Sequence, residues 1–305
     1  VKYGGTRDYV LGLEMVLPSG EIISTGGQTI KRAVAYDLTR LMVGAEGTLA
    51  IVTKANLKLL PLPECQQSLL VVFPSLQSAA RSISQIIRSK VRPSVLEFMD
   101  EASLNIVDAE KHFKFPLEAK SILMIETDGE KRVSREEAEY LGDICRVNGA
   151  LSIEFAKDEI EKNKIWKARK ALSQSLYKLK PTKINEDIVV PRSKIAEMVM
   201  GLSDLAKKYQ LTIVSFGHAG EGNLHVNIMT DNKKKDEWER AQEAVREVFL
   251  LTMKLGGSLS GEHGIGLSKA PYLSLELSPG EILMMKNLKR AFDPQGILNP
   301  GKIFP

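Results

Sequence analysis

The chain has 305 residues, of which 43% are hydrophobic and 26% are charged. This composition excludes a disordered chain and is sufficient for one large domain or two smaller ones. The 42 Lys and Arg residues against 38 Asp and Glu residues give a net charge of +4. Apart from a Lys triplet at 233–235, the basic residues are spread along the sequence. The charge therefore gives no indication of a nucleic-acid partner.

The sequence also gives no indication of a membrane or secreted protein. No apolar run approaches the roughly 18 residues that span a bilayer, and the N-terminal residues do not resemble a secretory signal. Cys65 and Cys145 lie far apart with no other cysteine near them, which suits a reducing compartment. We therefore expect a cytoplasmic protein with both thiols buried and inert.

Secondary-structure signals begin with a β-hairpin around the turn at 17–21. From Pro61 onward, strand and helix signals alternate in a β-α-β layout. The change at 61–63 from a Gly-rich strand-and-turn region to this pattern marks the first predicted domain boundary. The expected strands are 68–73, 95–99, 122–126, 151–155, 184–190, 211–216 and 223–229. The expected helices are 76–87, 102–110, 135–147, 158–179, 193–209, 235–255 and 279–292. Together they predict an α+β layer architecture.

Three of the four histidines lie in two short Gly-rich segments, 216–225 and 260–266. A helix over the first segment is unfavourable, because each of its glycines costs a helix about 1 kcal/mol. A hairpin with its turn at 220–223 fits better and would make His218 and His225 a cross-strand pair with Cβ atoms about 5 Å apart. Two imidazoles so placed can bind one cation, and Asn227 must point to the same face.

Glu262 is the natural third ligand, because the glycines around it let the backbone come close to another element. Two His and one carboxylate suit Zn, Mn or Fe and leave positions open for substrate or water. These residue types alone allow a metal-assisted hydrolase, and equally a redox enzyme in which the metal holds the substrate. The alternative without a metal is that the histidines are satisfied core or turn residues.

Four segments, in order, resemble the FAD-linked 2-hydroxyacid oxidoreductases, which include the glycolate oxidase flavoprotein subunit, D-lactate dehydrogenase and D-2-hydroxyglutarate dehydrogenase. The segments are Val-Gly-Ala-Glu-Gly-Thr-Leu-Ala-Ile-Val-Thr at 43–53, His-Ala-Gly-Glu-Gly-Asn-Leu-His-Val-Asn at 218–227, Gly-Glu-His-Gly-Ile-Gly at 261–266 and Leu-Asn-Pro-Gly-Lys at 298–302. Glu221 stands where many relatives carry Asp.

The resemblance implies an α+β fold. It consists of the second lobe of a vanillyl-alcohol-oxidase-type FAD domain, an α+β cap with an antiparallel sheet, and a C-terminal helical segment that returns to the FAD domain. The corresponding domains are expected at 1–63, 64–255 and 256–305. The family's first FAD lobe has no counterpart here, so we expect the sequence to be truncated.

The activity implied by the resemblance is oxidation of a D-2-hydroxy acid, such as glycolate or D-lactate, to the 2-oxo acid. Hydride goes to FAD, and electrons pass on to a protein or quinone, with an electron-transfer flavoprotein or an iron–sulfur subunit as the expected acceptor. A homodimer is a further expectation. The alternative is a metal-binding fragment or split subunit without redox activity of its own.

The resemblance also implies roles for the histidines and the carboxylate. His218, His225 and Glu262 are the expected ligands of a divalent metal, Zn, Mn or Fe. His263 is the expected catalytic residue, which contacts the substrate and accepts its hydroxyl proton. A neutral imidazole is a suitable base near neutral pH.

Further side chains are implied to bind substrate and cofactor. Arg169 is expected to hold the substrate carboxylate, with Lys183 and Asn227 as additional substrate contacts. Without the resemblance, Arg169 would be interpreted as a solvated helix-face residue, and 44–48 as a strand-connecting turn. The residues expected at FAD are Gly44, Glu46, Gly47, Thr48, Ile51, Val52 and Asn299.

Overall fold

The computed structural model describes residues 1–109 and 115–304, which divide into two units. The large unit comprises Val1–Lys2 and Pro63–Gly261, and the small unit comprises Tyr3–Leu62 and Glu262–Pro305. Segments near both ends of the sequence thus belong to the small unit. The roles expected for the three sequence-predicted domains stay predictions.

The small unit is built on a three-stranded antiparallel sheet. Its strands are β1 (Val10–Val16), β2 (Ile22–Gly26) and β3 (Ile51–Leu57), in the order β2-β1-β3. β1 and β2 form the predicted hairpin, whose turn is closed by the Leu17 N–H donating to the Glu21 carbonyl oxygen at 2.9 Å. The hairpin prediction is confirmed.

The core of the small unit lies between this sheet and the helices of the unit. Leu13 and Met15 are two residues apart on β1, so their side chains point to the same face of the sheet. Both are buried together with Met42 of the short helix α1 (Leu38–Met42). Phe292, the last residue of a C-terminal helix, packs against this cluster. The C-terminal segment therefore returns to the sheet of the N-terminal segment, as the family resemblance implied.

The large unit contains a seven-stranded sheet in the order β7-β4-β6-β5-β9-β10-β8, and all its pairs are antiparallel. The strands are β4 (Cys65–Phe73), β5 (Val95–Asp100), β6 (Ser121–Gly129), β7 (Ser152–Phe155), β8 (Thr182–Val189), β9 (Thr212–Gly217) and β10 (Asn223–Thr230). The predicted α+β class with antiparallel sheets is confirmed.

Each helix expected from the sequence is present, with shifts at the ends. The α-helices are α2 (Leu76–Arg88), α3 (Glu101–Ala109), α4 (Lys131–Val147), α5 (Glu159–Ser175), α6 (Ile195–Tyr209), α7 (Lys235–Lys254) and α8 (Pro279–Phe292). The predicted helix 158–179 ends early because its last turn tightens into a 3-10 turn at Leu176–Lys178. Glu110, the predicted end of α3, lies outside the described residues.

Strands in the centre of the large sheet are buried on both faces. Along β4, Leu70 and Val72 point into a cluster that includes Leu172 of α5, whereas Leu69 and Val71 are buried on the opposite side. Such double burial explains why these strands are continuous apolar runs rather than alternating ones. Across the described parts of the chain, no helix has the length and hydropathy to cross a membrane.

The two cysteines differ in environment. Cys145 on α4 is completely buried, and burial raises the pKa of its thiol to about 12 despite a hydrogen bond with Ser82. Cys65, the first residue of β4, is only half-buried. The expectation that both thiols are buried is therefore wrong for Cys65, because the first residue of that strand still reaches solvent.

We expect a thiol reagent such as iodoacetamide to modify Cys65 in the native protein at about pH 8 and to leave Cys145 intact. Only the thiolate reacts. The raised pKa of Cys145 keeps its thiol protonated, and its burial keeps the reagent away. Mass spectrometry should find one modified cysteine natively and two after denaturation. The Cys65→Ser variant should remain unmodified until it is unfolded, and native modification of Cys145 in that variant would contradict this assignment.

Candidate active site

His218 and His225 lie where β9 runs into β10, but in a register that differs from the predicted one. β9 ends at Gly217 and β10 begins at Asn223. His225 is paired with Phe216 of β9. The prediction that His218 and His225 form a cross-strand pair is therefore wrong.

The register differs because the turn is centred on 218–222. The carbonyl oxygen of His218 accepts hydrogen bonds from three following backbone groups, the N–H groups of Glu221, Gly222 and Asn223. Gly222 has a φ of 82°, a conformation that favours glycine. The two imidazoles are nevertheless close, with ring centroids 5.5 Å apart and ring planes at 83°. The sequence correctly predicted their proximity but not how the backbone achieves it.

Glu97, on β5, connects His218 to Arg169. One carboxylate oxygen of Glu97 accepts a hydrogen bond from Nδ1 of His218, and the other accepts from Nε of Arg169 at 2.8 Å. The Glu97 side chain is only 5% exposed. Burial would raise the pKa of Glu97, but the His218 hydrogen bond and the Arg169 charge outweigh it and hold the pKa below its usual value. Glu97 is thus a buried, ionised carboxylate between a guanidinium and an imidazole.

The Arg169 side chain extends from α5 into the interior of the large unit rather than into solvent. Its second contact with Glu97 is from a terminal guanidinium nitrogen at 2.8 Å, and its side chain is 12% exposed. The guanidinium carbon lies 4.5 Å from the centre of the Phe216 ring, within the distance of a cation–π contact. The alternative interpretation as a solvated helix-face residue is therefore wrong.

Lys183 and Asn227, the two further predicted substrate contacts, lie on neighbouring strands. Lys183 on β8 donates to Oγ of Ser173 at 2.7 Å, and partial burial lowers its pKa. Asn227 is completely buried on β10, where its amide donates to the Val214 carbonyl oxygen and accepts from Asn185. Both amide atoms of Asn227 therefore hold the sheet together, and its contact with a substrate stays a prediction.

Asp187, on β8, lies beside His225 and was not identified from the sequence. The two face each other across the ladder, with His225 Nδ1 4.0 Å from an Asp187 oxygen. The other oxygen accepts from the N–H of Gly261 at 2.9 Å and from Oγ of Ser260 at 3.1 Å. Asp187 thereby fixes the end of the Gly-rich segment directly before Glu262 in the sequence.

A close approach requires glycine at the end of this segment. A Cβ on Gly261 would lie 2.2 Å from the side-chain nitrogen of Asn223, which itself donates to Asp187. Any side chain at this position would therefore displace the segment from Asp187. A close approach of the backbone was predicted for the glycines around Glu262, and the geometry of Gly261 confirms it.

Glu262 and His263 begin the second segment of the small unit. His263 Nε2 lies 3.9 Å from a carboxylate oxygen of Glu262. Their side chains are 49% and 48% exposed, respectively. They are therefore not core residues, which argues against the interpretation of His263 as a satisfied core histidine.

Four of the seven predicted FAD contacts line one groove of the small unit. The groove has a volume of about 540 Å³ and is mainly apolar. Its lining residues are Met42, Ala45, Gly47, Ala50, Ile51, Val52, Ile297, Leu298 and Asn299. The sequence-predicted residues Gly47, Ile51, Val52 and Asn299 are thus brought together by the fold.

The three other predicted FAD contacts do not line this groove. The Glu46 carboxylate accepts hydrogen bonds from the N–H groups of Ile265 and Gly266, at 2.7 and 2.8 Å. Thr48 is buried, and its hydroxyl donates to a carbonyl oxygen within the same turn. Gly44 has a φ of 94° and no atom within 4 Å of where a Cβ would be. Glu46 and Thr48 therefore hold the loops in place, whereas Gly44 leaves open space.

Comparison with known proteins shows the family of the chain. Residues 62–303 match the family of FAD linked oxidases, C-terminal domain. The chain is 47% identical over 304 residues to glycolate oxidase subunit GlcD of Bacillus subtilis (strain 168), covering 100% of this chain and 65% of that protein. It is 36% identical over 309 residues to D-lactate dehydrogenase of Archaeoglobus fulgidus, covering 99% and 66%. The chain thus spans less than two thirds of the length of these relatives.

Solved structures show the same fold. A structure of p-cresol methylhydroxylase with substrate bound has a TM-score of 0.75 at 17% identity, with 97% of this chain and 65% of that chain covered. A 4-ethylphenol oxidase from Gulosibacter chungangensis has a TM-score of 0.73 at 16% identity, with 99% and 67% covered. The fold is therefore that of the vanillyl-alcohol-oxidase-type FAD-linked oxidases, and the chain belongs to the FAD-linked oxidase family through its C-terminal domain.

Proposed function

We propose that this chain serves the FAD-dependent oxidation of a D-2-hydroxy acid, such as glycolate or D-lactate, to the 2-oxo acid. The observation that carries the proposal is the Glu97 carboxylate, which holds a guanidinium and an imidazole side by side next to His225. A 2-hydroxy acid presents a carboxylate and a hydroxyl on adjacent carbons. One cationic group and one metal-binding group are the functions needed to recognise that pair.

The donor set suits a divalent metal such as Zn, Mn or Fe. His218 and His225 offer two imidazole nitrogens, and Glu262 follows directly after Gly261, which Asp187 holds beside His225. Two imidazoles and one carboxylate are a frequent ligand set with open positions. A metal bound there supplies Lewis-acid stabilisation of the negative charge that develops on the hydroxyl oxygen.

Arg169 is the proposed carboxylate-binding residue. Two of its five N–H groups serve Glu97, so three others can donate to a substrate carboxylate. Its cation–π contact with Phe216 and its bonds to Glu97 hold the guanidinium in place before the substrate arrives. Less conformational entropy is then lost when the substrate binds.

The proposed base is His263, whose imidazole is about half exposed and so accessible to substrate. A neutral imidazole accepts the hydroxyl proton while hydride leaves the adjacent carbon. Lys183 and Asn227 are proposed as further substrate contacts from the neighbouring strands. Partial burial lowers the pKa of Lys183, but its bonds to Ser173 hold the ammonium group in position.

In the small unit, FAD is proposed to bind at Gly44, Glu46, Gly47, Thr48, Ile51, Val52 and Asn299. The mainly apolar groove lined by Gly47, Ile51, Val52 and Asn299 supports this placement. FAD bound there would supply the acceptor for the hydride. Because the similar protein from Bacillus subtilis is named as a subunit, we propose an electron-transfer flavoprotein or an iron–sulfur subunit as the electron acceptor.

The alternative function is a metal-binding portion or split subunit without redox activity of its own. The two functions differ in flavin content. Stoichiometric flavin absorbance of the purified chain that bleaches when glycolate or D-lactate is added supports the redox function. Metal without flavin, even after incubation with FAD, supports the alternative.

We expect His225→Ala to lose the divalent metal, because the remaining histidine and carboxylate cannot hold it alone. Metal analysis by mass spectrometry after dialysis against metal-free buffer measures the effect. His263→Ala is the matched control, because a base that is not a ligand can be removed with the metal retained. Equal metal content in His225→Ala and the unaltered chain would contradict the assignment.

We expect Arg169→Ala to raise the KM for the hydroxy acid by about 10- to 100-fold, as for the loss of charged hydrogen bonds worth about 1.5–3 kcal/mol. Flavin content should not change. Arg169→Lys should recover only part of the loss, because one ammonium does not reproduce the guanidinium fork. Lys170→Ala, the exposed neighbour on α5, is the control and should leave KM unaltered. Loss of flavin in Arg169→Ala would mean that Arg169 acts elsewhere.

A further inference from the structure

Glu97 has no direct part in the chemistry described above, yet it contacts two of the groups that take part. Its carboxylate is buried on β5, and each oxygen serves a different partner, one His218 and the other Arg169. We propose that Glu97 is a positioning residue that fixes the tautomer of His218, with the proton on Nδ1 and the lone pair on Nε2. This inference rests on the proposed metal site and deepens it.

The tautomer follows from the chemistry of the two groups. A neutral imidazole has one nitrogen that donates and one that accepts, whereas an ionised carboxylate only accepts. His218 Nδ1 must therefore carry the proton that it shares with Glu97, which makes Nε2 the metal-binding nitrogen. Partners of this kind behind a metal-binding histidine change metal affinity by about 10- to 100-fold.

Arg169 makes this role specific to a carboxylate. The guanidinium has only donors, so the side-chain atom that faces it must be an acceptor. In Glu97→Gln, the amide oxygen is expected to turn towards Arg169, which leaves the amide NH2 facing His218. That NH2 would donate to Nδ1 and force the proton onto Nε2, where it blocks metal binding.

A second buried glutamate provides the matched control. Glu126, on the neighbouring strand β6, is also 5% exposed, and it accepts hydrogen bonds from Ser68 at 2.7 Å and Trp166 at 3.3 Å. Glu126→Gln removes a buried carboxylate of the same sheet whose side-chain partners are a hydroxyl and an indole rather than an imidazole. It separates loss of a buried charge from loss of the histidine partner.

The binding experiment compares Zn2+ affinity of the 305-residue chain by chelator competition. We expect Glu97→Gln to bind Zn2+ about 10- to 100-fold more weakly, and Glu126→Gln to bind within about twofold of the unaltered chain. The double variant Glu97→Gln/Arg169→Gln should regain affinity, because the amide introduced by Glu97→Gln can then turn and accept from Nδ1. Unaltered affinity in Glu97→Gln, or no recovery in the double variant, would overturn the inference.

Unfolding midpoints identify variants that do not fold, and the neutral double variant remains informative if Glu97→Gln alone is unstable.

A second measurement does not depend on metal. The chain has four histidines, so long-range proton–nitrogen NMR spectra of the metal-free protein can be assigned by substitution, and a pH series identifies the neutral form of each imidazole. We expect the His218 proton on Nδ1, and on Nε2 in Glu97→Gln. A His218 protonated on Nε2 in the unaltered chain overturns the inference even if Zn2+ binds. If the tautomers are as expected but the chain binds no Zn2+, the positioning role of Glu97 is supported and the proposed metal site is contradicted.

Discussion

The arrangement of His218 and Arg169 depends on the hydrogen bonds that both make to the ionised Glu97 carboxylate. A buried charge of this kind is tolerated only with charged or hydrogen-bonding partners. Arg169 and His218 supply them, from a helix and a turn that are far from β5 in sequence. The fold of this region therefore also brings two of the proposed functional groups together.

The antiparallel ladder explains why these groups meet. The order β5-β9-β10-β8 places the turn after β9 next to β5, and His225 of β10 opposite Asp187 of β8. Asp187 in turn holds Gly261, the residue directly before Glu262. Four neighbouring strands thus position two imidazoles, and Asp187 on one of these strands holds the residue that precedes the proposed third ligand in the sequence. The small unit separately forms the apolar groove proposed for flavin.

The sequence predicts local structure and motif chemistry better than long-range partners. The hairpin at β1 and β2 is encoded in the turn residues between the two strands, whereas the return of the C-terminal segment was implied by the family resemblance. Glu97 was missed because its partners are 72 and 121 residues away, and periodicity carries no information about such pairs. A signal was nevertheless present, since an acidic residue interrupts the apolar run of β5. The pairing of His218 was misjudged because the turn at Gly222 begins two residues earlier than expected, and register determines every cross-strand neighbour.

Anomalous diffraction from crystals of the chain soaked with Zn2+ tests the central claim, that these residues form one metal centre for a hydroxy acid, most directly. The account predicts one anomalous peak about 2.0–2.2 Å from His218 Nε2, a ring nitrogen of His225 and a carboxylate oxygen of Glu262. The same crystals should show His218 Nδ1 still within hydrogen-bond distance of Glu97. A peak that excludes either histidine, or no peak near them, would contradict the account.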